Sequence, residues 1–426
     1  MLFAQVHLDV PLDGPFDYRI GSQDVAKGAI VVVPFRRKKI VGIVEDVSDE
    51  TSVDERKLKT IESVFNLDPL PACYFSFCQF VARHYCARFG QVLFLGLPLA
   101  VRRVNFSQRF SETVFSLSEK GHREIPDSVS PRSFGKKKLF ELFQVEKSIT
   151  FSEARSVYST ARAELARWLD EGWITVGQRN QNYEFTPTRA STHNQKDEIV
   201  IELTVPQRAA VETVADNLDA HQVWLLQGVT GSGKTEVYFQ VMAKTLRLGL
   251  QIMVLVPEIN LTPQFESRLR ARFPEHQIVT LNSSMSDRER LQAWMLARSG
   301  VASIVLGTRL AIFASLPKLG LIVVDEEHDL SYKQVEGVRY NARDLAIYMA
   351  SENNVPIILG SATPSLETYF NFLGGKYKRV VLNERPHGPS PEIQLISVDR
   401  AFARTIAPEI LKSMGACLGR GEQVLV

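Results

Sequence analysis

The spacing of apolar residues changes twice along the chain. Near the start, Ala29–Phe35 and Ile40–Val47 are β-branched runs of strand length joined by the basic link Arg36–Lys39, which predicts a hairpin with a charged tip. Ala72–Ala87 places apolar and aromatic residues on most turns of a helix. From about residue 106, Lys136–Gln144, Phe151–Val157 and Ala161–Glu171 read as helices; Gly172 ends the last, and Trp173–Val176 reads as a strand. Helices followed by a short β element suggest a winged helix-turn-helix. Polar residues 191–199 read as a linker. From 200 onward strands alternate with helices: Val223–Leu226, Gln251–Val256, Ile278–Leu281, Ser303–Leu306, Leu321–Val324, Pro356–Leu359 and Val380–Leu382. Thr262-Pro263 and Ser286-Asp-Arg-Glu289 read as helix starts, Gly249 and Gly300 as stops. The expectation is a multidomain α/β chain divided at 1–105, 106–190 and 200–426, the last a doubly wound parallel sheet. Gly421–Val426 reads as the start of a buried strand, which points to a fragment of a longer protein.

Composition alters this little. The 426 residues are 45% hydrophobic and 23% charged with net charge +2, ordinary for about three globular domains with a core each. Basic clusters at Arg36–Lys39, Arg102–Arg103 and Lys136–Lys138 are local; taken singly, each reads first as a solvated face. The four cysteines (Cys73, Cys78, Cys86, Cys417) show no C-x-x-C pairing, so no zinc site is expected in this chain, and a reducing compartment fits. The three in Ala72–Ala87 are expected to be buried thiols. The N-terminus lacks a signal-peptide pattern, and the longest apolar run, Val92–Val101, is interrupted by Gly96 and Pro98 and is too short for a bilayer.

Chemistry enters at Gly228–Thr235, GVTGSGKT. Gly228, Val229, Thr230, Gly231, Ser232 and Gly233 form a P-loop between a strand and a helix N-terminus, where backbone N–H groups point at phosphates. Lys234 reaches the β- and γ-phosphates of ATP, and Thr235 supplies a hydroxyl to Mg²⁺. The strand Leu321–Val324 delivers Asp325-Glu-Glu-His328 at its end, expected beside the P-loop strand. Asp325 suits Mg²⁺, and Glu326 suits activation of the attacking water. Gly360-Ser-Ala-Thr-Pro-Ser365 follows another strand, with Thr363-Pro364 as a helix cap.

GVTGSGKTEVY (228–238), LVPEINLTPQ (255–264), GTRLAIF (307–313), DEEHDLSYKQVEGVRYNARD (325–344) and GSATPSLE (360–367) resemble the superfamily 2 helicases. More narrowly, they resemble the replication-restart, primosomal family, from Val6 to the last residue. The resemblance implies a RecA-like helicase lobe preceded by a β-rich DNA-binding domain and a winged-helix domain. It implies an ATP-dependent 3′-to-5′ DNA helicase that recognises stalled forks and initiates primosome assembly. Forked and single-stranded DNA, primosome proteins and single-stranded DNA-binding protein are the implied partners, in a bacterial cytoplasm, with no membrane. Gln207 falls in the adenine-recognising motif, and Ser361 and Thr363 couple ATP state to DNA. Ser331–Arg343 resembles an aromatic-rich loop in which Tyr332 and Tyr340 stack on bases while Lys333, Arg339 and Arg343 meet phosphates. Phe16, Asp17 and Lys59 fall where the family binds a nascent 3′ end: an aromatic face for the base, a carboxylate for the 3′-hydroxyl, a cation for phosphate. Arg36 stands where the family commonly has Gly, and Asn282 where His is usual. The second helicase lobe and the zinc-binding insertion, hence Zn²⁺, are expected outside this chain. The alternatives are a fork-DNA and ATP-binding module without efficient turnover, and a P-loop enzyme unrelated to nucleic acid, such as a kinase.

Overall fold

The computed structural model describes the chain except residues 1, 52, 107–110, 129–132, 159, 181–201, 259–262, 385–392, 394 and 397–405. The linker and the Thr262 cap lie outside the described residues.

The first sheet contains β1 (Phe3–Leu8), β2 (Phe16–Arg19), β3 (Ile30–Phe35), β4 (Lys38–Ser48) and β5 (Ser63–Val64), antiparallel in the order β2-β1-β4-β3-β5. The predicted hairpin is β3–β4, but it is tighter than expected. Lys38 and Lys39 pair with Phe35 and Pro34, leaving Arg36-Arg37 as the turn. Helices Ala72–His84 and Phe89–Leu95 cover this sheet. In the first, Cys78 is buried while Cys73 and Cys86 are exposed, against the expectation of three buried thiols. Cys73 lies on the first turn and Cys86 just past the helix end, outside the stripe that meets the core.

A three-stranded antiparallel sheet follows: β6 (Ser111–Leu117), β7 (Ile149–Thr150) and β8 (Ile174–Asn180), with β6 central. Helices Phe134–Val145, Phe151–Val157 and Ala161–Asp170 pack beside it around Trp168, which is fully buried. Strand β6 and helix Glu119–Ser128 escaped the sequence reading. That helix is polar on most positions, with Ile125 its one large apolar residue, and contains Pro126, so no run of apolar residues marks it.

The largest layer is a seven-stranded, all-parallel sheet, ordered β11-β12-β10-β13-β14-β9-β15. Its strands are β9 (Val223–Gly228), β10 (Gln251–Leu255), β11 (Ile278–Leu281), β12 (Ile304–Gly307), β13 (Leu319–Val324), β14 (Ile357–Ser361) and β15 (Lys378–Leu382). Helices on both faces make the central strands apolar throughout, which is why they read as continuous runs. Gly421–Val426 forms no strand. All of it but Val424 is exposed, Leu425 fully so, and it pairs with no strand among the described residues.

The N-terminal helices do not close a core of their own. One apolar cluster runs from Ile30 and Phe77 through Phe313 to Leu359. Phe77 meets Phe313 edge-on at 5.7 Å, and the Phe80 and Tyr348 rings stack within 5° of parallel.

Candidate nucleotide and DNA site

The edge of the parallel sheet carries the predicted motifs. β9 ends at Gly228, and the loop turns through Gly231 and Gly233, both left-handed (φ 81° and 84°), into helix Lys234–Arg247. Gly233 is required twice. A Cβ there would be strained by its φ and would lie 2.2 Å from Gln207 Nε2. Gln207 is buried, donating from Nε2 to Ser232 O (2.9 Å) and accepting from Thr204 N–H (3.0 Å). Its Nε2 end thus braces the loop while its Oε1 end is held by the N-cap residue of its own helix.

Lys234 is buried, with Nζ 2.9 Å from Gly228 O and 3.7 Å from Glu326 Oε1. Thr235 is half-buried on the first turn of the same helix. Asp325 and Glu326 follow β13, which is not adjacent to β9 as the sequence suggested: β14 lies between them. Glu326 still comes within 3.7 Å of Lys234, and the intervening strand, having no side chain at Gly360, leaves room for Tyr238 beside Asp325. A Cβ there would meet the Tyr238 hydroxyl at 1.5 Å, and that hydroxyl donates to Asp325 Oδ1 at 3.1 Å. Tyr238 lies one helical turn after Lys234, on the same face. That spacing was the available signal for it.

Burial raises the Asp325 pKa, and the neighbouring Glu326 charge adds to the effect; Tyr238 and Lys234 oppose it. Glu326 has φ 43°, a left-handed conformation costing a non-glycine residue about 1–2 kcal/mol. Such strain persists only where surrounding contacts enforce it.

The third acid of the motif does something else. Glu327 has a fully buried side chain that accepts from Ser365 N–H (2.7 Å), Ser365 Oγ (3.0 Å), Thr368 Oγ1 (2.9 Å) and Arg343 Nη1 (3.1 Å). Ser365, not Thr363, caps helix Leu366–Leu373, because its Oγ is the one aimed at the free Thr368 N–H (3.3 Å). His328 Nδ1 lies 2.8 Å from Ser361 Oγ, which also accepts from Thr363 N–H (3.0 Å). The acid motif and the turn after β14 are therefore joined twice. Sequence reasoning missed Glu327, Ser365 and Thr368, since a third carboxylate after a strand carries no spacing signal of its own.

The loop at 331–343 departs most from expectation. Tyr332 and Tyr340 were to stack on bases; they are 1% and 2% exposed. The Tyr332 hydroxyl lies 2.6 Å from Asp325 O and 3.0 Å from Leu255 O, and Tyr340 packs edge-on against Phe313 at 5.2 Å. Each ring is bulky enough to anchor the loop, and burial leaves no face for a base. Arg343, expected on phosphate, is also buried, pairing with Asp344 (2.8 Å) as well as Glu327. Burial opposes its charge, but the two carboxylates outweigh burial and raise its pKa. Lys333 and Arg339 are exposed at the loop surface.

In the N-terminal sheet, Phe16, Asp17 and Lys59 line one cleft with Phe35 and Arg36. Phe16 and Phe35 meet edge-on at 5.3 Å; Thr51 Oγ1 donates to Asp17 Oδ2 at 2.6 Å, and Lys59 Nζ to Arg36 O at 3.2 Å. Arg36 has φ 52°, a conformation that glycine adopts freely. Asn282 Oδ1 accepts from Ser284 N–H and Oγ at 3.0 and 2.8 Å, a local turn.

Residues 5–98 match the 3′ DNA-binding domain (3′BD) of PriA, and residues 204–372 match the DEAD/DEAH box helicase family. Replication restart protein PriA of Haemophilus influenzae is 35% identical over 435 residues, covering all of this chain and 58% of that protein. Its Bacillus subtilis counterpart is 30% identical over 509 residues, covering all of this chain and 62% of that protein. Over its whole length the chain is similar to PriA. It spans about 58% of the length of the Haemophilus relative. Among solved structures, RecG bound to a three-way DNA junction aligns with 52% of this chain and 28% of its own, at 23% identity and TM-score 0.39.

A DEAD/DEAH box helicase domain works with a nucleotide and Mg²⁺. The residues here fit both. Lys234, Thr235, Asp325 and Glu326 supply the cation and oxygen donors, and Ser232 Oγ is buried in the loop with no hydrogen-bond partner among the described residues. Among the described residues no helix is long and apolar enough to cross a membrane.

Proposed function

We propose that the chain carries the fork-recognising and first ATP-binding parts of a 3′-to-5′ replication-restart helicase. One observation carries the reading. A single sheet edge brings Lys234 to 3.7 Å from Glu326, in a chain whose residues 5–98 match a 3′ DNA-binding domain. The proposed division is 1–105 for the 3′-end domain, 106–190 for a winged-helix domain and 200–426 for the first helicase lobe.

Each residue's role follows from its chemistry. Gly228–Thr235 cradle the phosphates on backbone N–H groups, and Lys234 moves from the Gly228 carbonyl to the phosphates. Thr235 and Asp325 hold Mg²⁺, which when bound neutralises developing phosphate charge. Glu326 orients and deprotonates the attacking water. Gln207 holds the loop in shape and recognises adenine. Ser361 and Thr363 link nucleotide state to DNA, which Lys333 and Arg339 meet at phosphates. In the N-terminal cleft, Phe16 takes a terminal base, Asp17 the 3′-hydroxyl and Lys59 a phosphate. Primosome proteins and single-stranded DNA-binding protein are the proposed partners.

The test is fluorescence anisotropy with forked DNA bearing either a 3′-hydroxyl or a 3′-phosphate at the junction, repeated at rising salt. Affinity should fall with salt. Asp17→Ala should weaken the hydroxyl fork about tenfold, the scale of one hydrogen bond to a charged group, and leave the phosphate fork nearly unchanged. Equal weakening removes Asp17 from the pocket, and absence of fork binding removes the function.

A further inference from the structure

Glu327 lies between the nucleotide acids and the DNA-facing loop. Its side chain is fully buried, so it meets neither ligand. Its four donors come from separate places: Arg343 on the helix that follows the loop, and Ser365 and Thr368 on the helix that follows β14. Its own N–H donates to Gly360 O at 2.9 Å. We infer that Glu327 is a positioning residue that locks the loop at 329–341 and the Gly360–Ser365 turn to Asp325 and Glu326, so that nucleotide and single-stranded DNA influence each other's binding through it. The inference rests on the ATP-and-DNA reading above.

Three features support this. First, the loop is tied to the acids at both ends. Its start reaches the Asp325 carbonyl through the Tyr332 hydroxyl, and Arg343, just past its end, reaches Glu327. Second, the loop is closed on itself. Lys333 and Asn341 form a β-bridge, and Gln334 N–H donates to Tyr340 O at 2.8 Å. A force on the exposed tip is therefore passed to both anchors. Third, the residue immediately before Glu327 is the strained Glu326. Holding Glu327 on four donors fixes the peptide that aims the Glu326 carboxylate. Coupling between two sites requires an element that both ligands bias, and this cluster ties the end of the loop to the peptide that carries Asp325 and Glu326. A buried ion pair is by itself weak evidence for stability, so the cluster needs another reason to be there.

The test measures the affinity of a non-hydrolysable ATP analogue with Mg²⁺, with and without single-stranded DNA. It uses the full chain as wild type, Glu327→Gln and Thr368→Val, each with a thermal melt. Wild type should bind the analogue at least ~5-fold more tightly or more weakly with DNA present, the lower end of ordinary coupling. Each variant should hold each ligand alone within about twofold of wild type, below that coupling range, and lose the DNA effect. Thr368→Val removes one of the four donors and keeps the shape, so it carries the test if Glu327→Gln fails to fold. Wild-type coupling in a folded variant overturns the inference. So does loss of both single-ligand affinities together with a lowered melt in Thr368→Val, which would mark a merely structural clamp. Wild type that binds both ligands without coupling overturns it too. Failure of wild type to bind either ligand overturns the ATP-and-DNA reading instead.

Discussion

Lys234 Nζ stands 3.7 Å from Glu326 Oε1 although β14 separates the strands that deliver them. The lysine is buried and already holds the Gly228 carbonyl, so its charge is aimed at the loop before any phosphate arrives. Lys234→Ala should weaken ATP binding by about 10- to 100-fold, the loss of a charged hydrogen bond. Fork affinity should change little. Titration of a fluorescent ATP analogue beside DNA anisotropy checks this; equal loss of both would make Lys234 a structural residue.

Asp325 provides a pH prediction. Its folded pKa is raised above the ordinary 3.8 by burial and by Glu326. Between 3.8 and that raised value the folded state holds more proton than the unfolded chain, so stability falls as pH rises through this window. Above the window the ionised carboxylate is a constant penalty. Asp325→Asn should therefore melt higher than wild type at pH 7. The difference should shrink as pH falls through the folded pKa and vanish below about 3.8. Melts from pH 3 to 7 without Mg²⁺ decide it; an advantage independent of pH would assign the shift elsewhere.

The loop residues should separate by burial. Tyr332→Ala removes a side chain that is 1% exposed and should cost about 3–5 kcal/mol in chemical denaturation. Lys333→Ala and Arg339→Ala, both exposed, should stay within about 0.5 kcal/mol of wild type. Each should reduce the salt dependence of single-stranded DNA binding by about 0.7 in slope. A stable Tyr332→Ala protein with weakened DNA binding would return the tyrosine to a base-stacking role.

Arg36 holds φ 52° at the β3–β4 turn. Arg36→Gly should relieve that strain and raise stability by up to about 1 kcal/mol, the added freedom of the unfolded glycine offsetting part of the gain. The carbonyl that accepts Lys59 should keep its place. Equilibrium unfolding checks the sign, and a loss of more than that amount would show that the Arg36 side chain, which lies near the Phe35 ring, contributes more than its backbone costs.

Local chemistry determined what the sequence by itself could show. The strands of the parallel sheet were legible because burial on both faces makes each an unbroken apolar run. The P-loop was legible because its spacing, with Gly at the left-handed positions 231 and 233, is a constraint on consecutive residues. Tertiary structure decided the rest, because burial depends on neighbours distant in sequence. Tyr332 looks like a base-stacking residue until Leu255 and Asp325 close over its hydroxyl. Arg343 looks like a phosphate ligand until Glu327 and Asp344 take its charge. Glu327 has no sequence signal at all, since its four donors arrive from positions 343, 365 and 368. Strand order also belongs to the tertiary structure. Only the pairing of β14 between β13 and β9 shows why Gly360 must lack a side chain for Tyr238 to reach Asp325.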